Sequence, residues 1–294
     1  GMASSEMPMR KAGCAILGII AEGCSCNIRE MLPQILPRLL EAIQDSHYYV
    51  RESACFALGQ FSEHCQPEIL YHHQEILPVI FQALQDPRPT VQGTSCYVLE
   101  NFCENLLPQT LRPFLPMLME RLASLLHSPQ KTTQEMAMAA IAATAVASED
   151  GFIPYTEATV DILKEIIFIS EPELFNLRGR ALECLGHVAV AVGHDHFMPY
   201  LDMGMQAALQ GVQLGDDNLK EYAYTFIANV AKVMGHTFDQ HLETLVPHLL
   251  EVISEAELTY GEQESEVGAL DEDDDEDDIP LQLRFHEGYI NTKK

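Results

Sequence analysis

The sequence has 294 residues and a formal net charge of −27, with 21% charged residues. This acidity argues against direct binding to nucleic acid, because neutralising phosphates requires Lys and Arg. It favours basic protein partners, which long-range attraction would steer towards the chain, although solubility alone could also account for it. No apolar run is expected to span a bilayer and no secretion signal is visible, so no membrane partner is predicted.

A pattern of roughly 42 residues recurs along the chain. Each copy opens with a polar residue, followed by a small residue three positions later and Leu or Ile at position seven. The copies begin at Arg10, Arg51, Gln92, Gln134, Arg178 and Lys220, in steps of 41, 41, 42, 44 and 42 residues. Repeats of about 40–47 residues are typical of HEAT and armadillo units, whereas tetratricopeptide and ankyrin units are shorter. The period therefore predicts an all-α HEAT-repeat solenoid, a right-handed superhelix of about six to seven antiparallel helix hairpins.

Each copy is predicted to form one helix of a hairpin, the B helix, and a second signal upstream marks its partner, the A helix. This signal is an apolar pair followed by proline. It occurs at Pro37, Pro78, Pro116, Pro154, Pro199 and Pro247. Because a proline inside a helix removes one backbone hydrogen bond, we expect bent A helices. In the turns, Asp45, Asp86, Ser128 and Asp216 are good candidates to start the B helices.

The repeat pattern divides the chain into three parts. Residues 1–256 are predicted to form the solenoid, residues 257–278 an acidic disordered loop inserted in a hairpin, and residues 279–294 the start of a truncated next helix. Within the solenoid, a lone B helix is expected at 8–24, hairpins at 29–65, 68–106, 108–148, 151–193 and 194–235, and a last A helix at 237–256. The loop ends in eight consecutive acids, which repel one another and stay solvated. These are Asp271, Glu272, Asp273, Asp274, Asp275, Glu276, Asp277 and Asp278.

Catalytic and metal-binding patterns are not evident. The eight cysteines are predicted to be structural, since several occupy apolar positions of B helices. Cys24 and Cys26 lack the spacing of a zinc site, and the clusters at His72–His73 and His194–His196 are better interpreted as surface or helix-end histidines. We therefore predict no catalytic residue, no metal and no cofactor, and a protein that is not an enzyme.

A possible row of carboxylates follows from the register. The residues twelve positions after the start of the first three copies are Glu22, Glu63 and Glu104. Since neighbouring helices pack about 8–10 Å apart, these side chains would stand in line along one face. They fall near helix C-termini, where the helix dipole disfavours an anion. A cation-binding row is one interpretation, and an ordinary solvated face is the other.

A row of amides is predicted on the adjoining turn of the B helices. Nine positions after the start of a copy, the register places Gln60, Asn101 and Asn229. Amide side chains both donate and accept hydrogen bonds, so they could hold the backbone of an extended peptide. An ordinary polar helix surface explains them equally well.

Taken together, several motifs resemble the importin-beta (karyopherin-beta) nuclear transport receptors. They are the turns that end at Asp45 and Asp86, Arg51 six residues after the first, the segment VLENFCENL from Val98, and the acidic insertion in a late turn. The nearest likeness is to importins that carry histones and ribosomal proteins, and the chain resembles a middle slice of such a solenoid. Gln92 and Gln134 depart from the pattern where arginine is expected, and no tryptophan is present to build a cargo pocket.

The resemblance implies a segment of a nuclear import receptor that binds basic cargo on a concave, acidic surface lined by B helices. It implies cargo release by the Ran GTPase in its GTP form, Phe-Gly nucleoporins as further partners, and shuttling between cytoplasm and nucleus through the nuclear pore. It assigns cargo binding to Glu100, Asn101, Glu104 and Asn105, and an assisting role to the eight acids from Asp271.

A second hypothesis is a HEAT-repeat scaffold for a phosphatase or a chromosome-associated complex. Such proteins also have repeats near 40 residues. The acidic loop argues for the receptor, because a scaffold for folded enzymes has no evident need of a disordered polyanion.

Overall fold

A computed structural model describes residues 1–243, 245–247 and 249–250 of the chain. It divides into two units, Gly1–Phe238 and Asp239–Lys294. Every regular element within the described residues is helical, which confirms the all-α HEAT solenoid. In the second unit the described residues are helical, in agreement with the predicted last A helix up to residue 250. The remainder of that helix, the predicted acidic loop and the predicted final helix lie outside the described residues.

Within the described residues, six B helices match the six copies of the sequence pattern. They are α1 (Met7–Ile19), α3 (Tyr48–His64), α5 (Pro89–Cys103), α8 (Lys131–Ser148), α10 (Phe175–Phe197) and α12 (Asp217–Met234). Each B helix packs against the next, so that they form a continuous layer. The predicted small residue lies in these contacts, since Ala54, Ser95, Ala137, Ala181 and Ala223 are all buried. Small side chains let the helix axes approach closely, which explains the pattern from which the repeat was recognised.

The A helices pack against the B helices that follow them. They are α2 (Ser25–Ala42), α4 (His73–Ala83), α7 (Leu115–Leu125), α9 (Thr156–Ile166) and α11 (Leu201–Gln213), and a short helix α6 (Pro108–Leu111) precedes α7. Short 3-10 segments lead into α4, α7, α9 and α11. The predicted hairpins are therefore present, with the start of each A helix drawn into a tighter turn.

Among the five A helices described in Gly1–Phe238, the prediction of an internal proline holds for two, and Pro247 also lies in a described helical stretch. Pro37 lies inside α2 and Pro78 inside α4. Pro116 instead occupies the first turn of α7, and Pro154 and Pro199 lie in the 3-10 segments before α9 and α11. The first turn of a helix has no intrahelical partner for its N–H groups, so proline is accommodated there without loss of a hydrogen bond.

The prediction of capping residues is correct at one turn. The Asp216 carboxylate caps α12 by accepting from the Leu219 N–H at 2.8 Å. Asp45 and Asp86 lie three residues before their helices begin and accept from the N–H groups of His47 and Arg88, at 2.8 and 2.9 Å. Ser128 does the same for Gln130 at 3.3 Å. These side chains stabilise the turn rather than cap the helix, since short polar side chains often bond to the backbone two residues ahead.

Two arginines, Arg10 and Arg51, each link one turn between helices to the corresponding turn of the next repeat. Arg10 donates to both carboxylate oxygens of Asp45, at 2.6 and 3.0 Å. At the places where glutamine replaces arginine, the side chains of Gln92 and Gln134 donate only to a carbonyl of their own turn, at 2.7 Å in both cases. The loss of arginine therefore removes the ionic link between repeats but keeps the local hydrogen bond.

Arg178 occupies the leading position of the fifth copy and is fully buried. Its guanidinium donates to the carbonyls of Ile169 and Ala207, at 2.7 and 2.8 Å. Burial lowers the pKa of this arginine. These two carbonyls, one in the turn after α9 and one within α11, take the place of a carboxylate here.

One stretch of the described chain is apolar and long enough to pass for a membrane span. It covers residues 131–166, contrary to the expectation from the sequence. In the structure this stretch comprises α8, a 3-10 segment and α9, and most of its apolar side chains are buried against neighbouring helices. Its apolar character reflects the alanine-rich core of a central repeat.

The cysteines fall into two classes. Cys24 and Cys26 are exposed in the turn around the start of α2, whereas the other six are buried. Burial raises the pKa of the Cys14 and Cys65 thiols to about 11. These buried thiols occupy positions of small apolar residues, as predicted.

Candidate functional site

An acidic groove of 280 Å³ opens on the B-helix layer, across three consecutive repeats. One wall carries Glu100 and Glu104, with Asn101 between them, and the other carries Glu183 and His187. The floor is formed by Ala139, Ala142, Ala143 and Val146. We refer to this hollow, defined by these nine residues, as the acidic groove.

The spacing of side chains along the repeated helices determines where the walls and floor of the groove lie. Glu100 and Glu104 are one helical turn apart at the end of α5, and Glu183 and His187 have the same spacing on α10. Between them, α8 presents small side chains, because its sequence from Lys131 is rich in alanine. Residues four apart lie on one face of a helix, so each wall directs both of its side chains towards the groove.

Burial makes Glu100 an unusual carboxylate. Loss of solvent raises the pKa of Glu100, and the nearby carboxylates of Glu183, Glu63 and Glu104 raise it further, while Arg180 opposes them. An opposite charge within about 4–6 Å favours the charged form of such a carboxylate. The groove is therefore suited to a positively charged side chain.

The shape of the groove also suits a positively charged side chain. Its floor is apolar, and its carboxylates stand at the walls. Lys and Arg carry an aliphatic stem beneath a charged head, so the stem can lie on apolar surface while the head reaches a carboxylate. Among the described residues, no group of three or more His, Cys, Asp or Glu side chains is arranged to hold a metal ion.

Arg180 lies beside the acidic groove and is already engaged. It donates to the Glu183 carboxylate at 2.8 Å, and its guanidinium carbon is 5.5 Å from the centre of the Tyr222 ring. Its charge also acts on Glu100 and on Glu135, whose pKa is raised by burial. The protein thus supplies one cation of its own to this group of carboxylates.

Glu63 belongs to a hydrogen-bonded group that joins α3 to α5. The Tyr97 hydroxyl donates to its carboxylate at 2.9 Å, and the Gln60 amide donates to the Tyr97 hydroxyl at 2.5 Å. Burial, followed by the bond to Glu63, raises the pKa of Tyr97 to about 12. Gln60, predicted as a peptide-binding amide, is therefore occupied within the fold.

The two asparagines of the VLENFCENL segment also make contacts within the fold. Asn101 donates to the carbonyl of Tyr97 at 2.9 Å, and Asn105 donates to the side-chain oxygen of Gln66 at 2.6 Å. Gln66 in turn donates to the carbonyl of Asn101 at 3.1 Å. Asn101 nevertheless lines the acidic groove. Asn105, which directly follows Glu104 in sequence, is exposed and does not line the groove.

The structure brings together only part of the predicted site. Glu100, Asn101 and Glu104 line the acidic groove. Glu22 is exposed in a turn, because α1 ends at Ile19 rather than at the predicted residue 24. Glu63 and Asn229 belong to α3 and α12 and do not line the groove. The residues from Asp271 to Asp278 lie outside the described part.

Several residues in or near the groove were not predicted from the sequence. Glu183 and His187 were not recognised as partners of the VLENFCENL glutamates, and Arg180 and Tyr97 were also missed. Their register was available, since Tyr97 and Glu183 stand at the same position of their copies, five after the start. A test for polar side chains at that position would have found both.

A second hollow of 570 Å³ lies on the same layer. Tyr49, Phe56, Tyr97 and Met136 contribute its apolar surface, together with Lys11 and the polar side chains of Glu52, Ser53 and Thr94. The amino group of Lys11 lies 5.0 Å from the centre of the Tyr49 ring. Tyr97 lines this hollow with its ring and bonds Glu63 with its hydroxyl, so it connects the apolar and acidic parts of the surface.

Comparison with protein families gives a match to the HEAT-like repeat at residues 7–61 and 49–102. Among curated proteins, the chain is 33% identical over 256 residues to the probable importin subunit beta-4 of Schizosaccharomyces pombe, which covers 86% of this chain and 24% of that protein. It is 33% identical over 129 residues to human importin-4, covering 43% of this chain and 12% of the relative. The chain thus spans a quarter or less of the length of these relatives.

Solved structures of a karyopherin are also similar to this chain. The crystal structure of Kap121p bound to Pho4p matches with a TM-score of 0.78 at 28% identity, covering 85% of this chain and 24% of that one. The karyopherin Kap121p bound to the extreme C-terminus of the protein phosphatase Cdc14p matches with a TM-score of 0.79, at the same identity and coverage. A further match is a Kap121p mutant in which three acidic residues, spaced at nearly the repeat length, are replaced with lysine.

Proposed function

Because the chain is homologous to the importin-beta (karyopherin) receptors and spans a fragment of them, we propose that it is a segment of a nuclear import receptor that binds basic parts of cargo proteins. The observation that carries this proposal is the acidic groove, in which Glu100, Glu104 and Glu183 surround an apolar floor. The segment acts by binding rather than by catalysis. The homology also favours this function over a scaffold for a phosphatase or a chromosome-associated complex.

The groove would take one Lys or Arg side chain of an extended cargo segment. Its carboxylates supply charge-assisted acceptors, and the alanines beneath them accept the aliphatic stem. The row Glu22, Glu63 and Glu104 would extend the acidic surface along the B helices towards the amino-terminal repeats. Glu63 accepts from Tyr97 through Oε2, and its Oε1 makes only a 3.9 Å contact with Nε2 of His64, so part of its carboxylate is weakly engaged within the fold.

The remaining partners follow from the homology and are part of the same proposal. Histones and ribosomal proteins are the expected basic cargo, Ran in its GTP form would release them, and Phe-Gly nucleoporins would bind during passage through the nuclear pore. The receptor would then shuttle between cytoplasm and nucleus. The acids from Asp271 to Asp278 and the amides of Asn105 and Asn229 would assist cargo binding.

The groove can be tested with core histones and with a fluorescent hexalysine peptide, by fluorescence anisotropy at low and high salt. Changing Glu100, Glu104 and Glu183 together to Gln should weaken binding by about 2- to 30-fold, since Glu100 and Glu104 each contribute roughly 0.2–1 kcal/mol and Glu183 is already paired with Arg180. The matched control changes Glu120, Glu157 and Glu165 to Gln. These three glutamates are exposed on the A helices α7 and α9, and their loss removes the same charge.

The possible outcomes distinguish a specific binding site from nonspecific attraction by the net negative charge of the chain. A weaker affinity for the groove variant alone supports the proposal. An equal effect of both triple variants would show that only the overall charge attracts basic proteins, and binding unaffected by salt would argue against an ionic site altogether. Deleting residues 262–278 tests the acidic block in the same assay, and an unchanged affinity would remove it from the proposal.

A further inference from the structure

We propose that Arg180 is a built-in competitor of the acidic groove, which a basic cargo side chain must displace from Glu183 in order to bind. This inference rests on the proposed function and concerns its selectivity. In the structure, the Arg180 guanidinium donates to Glu183 at 2.8 Å, at the position where a cargo cation would be bound. Arg180 thereby lowers the affinity of the groove for single cations.

The contacts of Arg180 suit a group that can leave. Its partner Glu183 is three residues along the same helix, so the pair joins no two elements of the fold. Pairs of this kind contribute only about 0.2–0.5 kcal/mol to a helix. The side chains of Arg180 and Glu183 remain 36% and 24% exposed, so a ligand from solvent can reach both.

Tyr222 provides a place for the displaced guanidinium. The centre of its ring is 5.5 Å from the guanidinium carbon of Arg180, close enough for a cation–π contact. The carboxylate of Glu135 also lies within the field of Arg180. Arg180 can therefore give up Glu183 without losing every favourable contact.

The arrangement has a consequence for selectivity. A ligand with a single basic residue gains a carboxylate but must release Arg180, so its net gain is small. A segment with several basic residues gains from neighbouring carboxylates at the same time, and its linked side chains bind with a high effective concentration. Arg180 thus favours cargo with clustered basic residues over proteins with isolated ones.

The test measures hexalysine binding to Arg180→Gln by fluorescence anisotropy. We expect binding about three- to tenfold tighter than for the wild-type chain, as for the loss of one competing ion pair. Arg180→Lys, which keeps the charge, should bind within about twofold of the wild type. The matched control is Arg112→Gln, since Arg112 pairs with Asp150 away from the groove and its loss changes the net charge equally.

A second measurement does not depend on the absolute affinity of one variant. In the wild-type chain, Glu183 is already neutralised by Arg180, so Glu183→Gln should weaken hexalysine binding only slightly. In the Arg180→Gln background the same change should weaken binding several-fold more. Thermal unfolding of each variant establishes that the fold is retained.

The two levels of the proposal fail differently. If the wild-type chain binds hexalysine through the groove but Arg180→Gln binds equally or less tightly, or the two Glu183 effects are the same, Arg180 is not a competitor and the groove remains the site. If neither the wild type nor Arg180→Gln binds hexalysine, the proposed function itself is wrong and this inference falls with it.

Discussion

Arg51 on α3 donates to both carboxylate oxygens of Asp86, at 2.6 and 2.9 Å, and thereby joins two successive turns of the solenoid. The same side chain donates to the carbonyl of Asp45 at 2.9 Å, within its own turn. One arginine therefore performs two separate tasks, the closing of a turn and the linking of two repeats. Gln92, at the equivalent place in the next copy, performs only the first.

We predict that Arg51→Gln reproduces the arrangement at Gln92 and costs about 1 kcal/mol of stability, the amount typical of a well-aligned ion pair near a surface. The change should lower the urea midpoint of unfolding, measured by circular dichroism. The control is Arg38→Gln, which removes an exposed positive charge from α2. Equal midpoints for the two variants would mean that the link between repeats contributes nothing.

The pair Arg10–Asp45 predicts a pH dependence. The bond from Arg10, opposed by burial and aided by the His47 N–H, lowers the pKa of Asp45. Its contribution to stability is therefore complete above the pKa of an unfolded aspartate, near 3.9, and is lost as the pH falls through the lower pKa of the folded state. At pH values below 4, the unfolding midpoint of the wild type should decrease more steeply with falling pH than that of Asp45→Asn. Parallel pH profiles for the two proteins would contradict the assignment of this pH dependence to Asp45.

Gly59 predicts a steric effect between repeats. A Cβ atom at this position would lie 2.4 Å from Cε1 of Tyr97, so the ring must move, which disturbs the bond from its hydroxyl to Glu63. We expect Gly59→Ala to destabilise the chain by about 1–3 kcal/mol, as is typical of overpacking. Gly23→Ala is the matched control, because nothing lies within 4 Å of a Cβ there. Comparable unfolding midpoints for both variants would show that Tyr97 adjusts freely.

Much of the fold could be predicted because the repeat is encoded locally. The small residue in each copy, such as Ala54, is needed wherever two B helices approach closely, so it recurs with the period of the structure. Helix starts were less predictable. Asp45 has the sequence appearance of a helix cap but stabilises the turn instead, since its carboxylate has a second partner in Arg10, which lies 35 residues away.

The site was predictable only within one repeat. Glu100 and Glu104 are close in sequence and were recognised from the VLENFCENL segment. Glu183, which completes the groove, lies two repeats further on, and only the packing of α5, α8 and α10 brings it opposite. The row of glutamates could not be judged from spacing either, because the end of α1 at Ile19 depends on the following turn.

Glu100 predicts how cargo binding depends on pH. Because burial and nearby carboxylates raise the pKa of Glu100, it takes up a proton at a higher pH than an ordinary glutamate, and binding of hexalysine should begin to weaken there. The charged or titratable groups near it are Glu63, Tyr97, Glu104, Arg180, Glu183 and His187. Measuring in a His187→Gln background removes the imidazole from the comparison.

In that background, the Glu100→Gln variant should bind hexalysine more weakly at neutral pH. Its binding should also no longer show the weakening that begins at the higher pH at which Glu100 takes up a proton. Glu104→Gln, an exposed neighbour on the same wall, should weaken binding but keep the shape of the profile. A profile that keeps its upper part without Glu100 would assign the titration to another carboxylate of the groove.

The cysteines predict how tightly the B-helix layer is closed. Burial raises the pKa of the Cys55 and Cys103 thiols to about 12, whereas Cys24 and Cys26 are exposed. Since the thiolate is the reactive form, a rise of two to three units slows a thiol reagent by about 100-fold or more, and burial slows it further. At pH 8 the native chain should therefore release two equivalents of thionitrobenzoate quickly, and the other six only after unfolding in guanidinium chloride. Replacing Cys24 and Cys26 with serine should abolish the fast phase. More than two fast thiols in the wild type would show that the packing around a buried cysteine opens in the native solenoid.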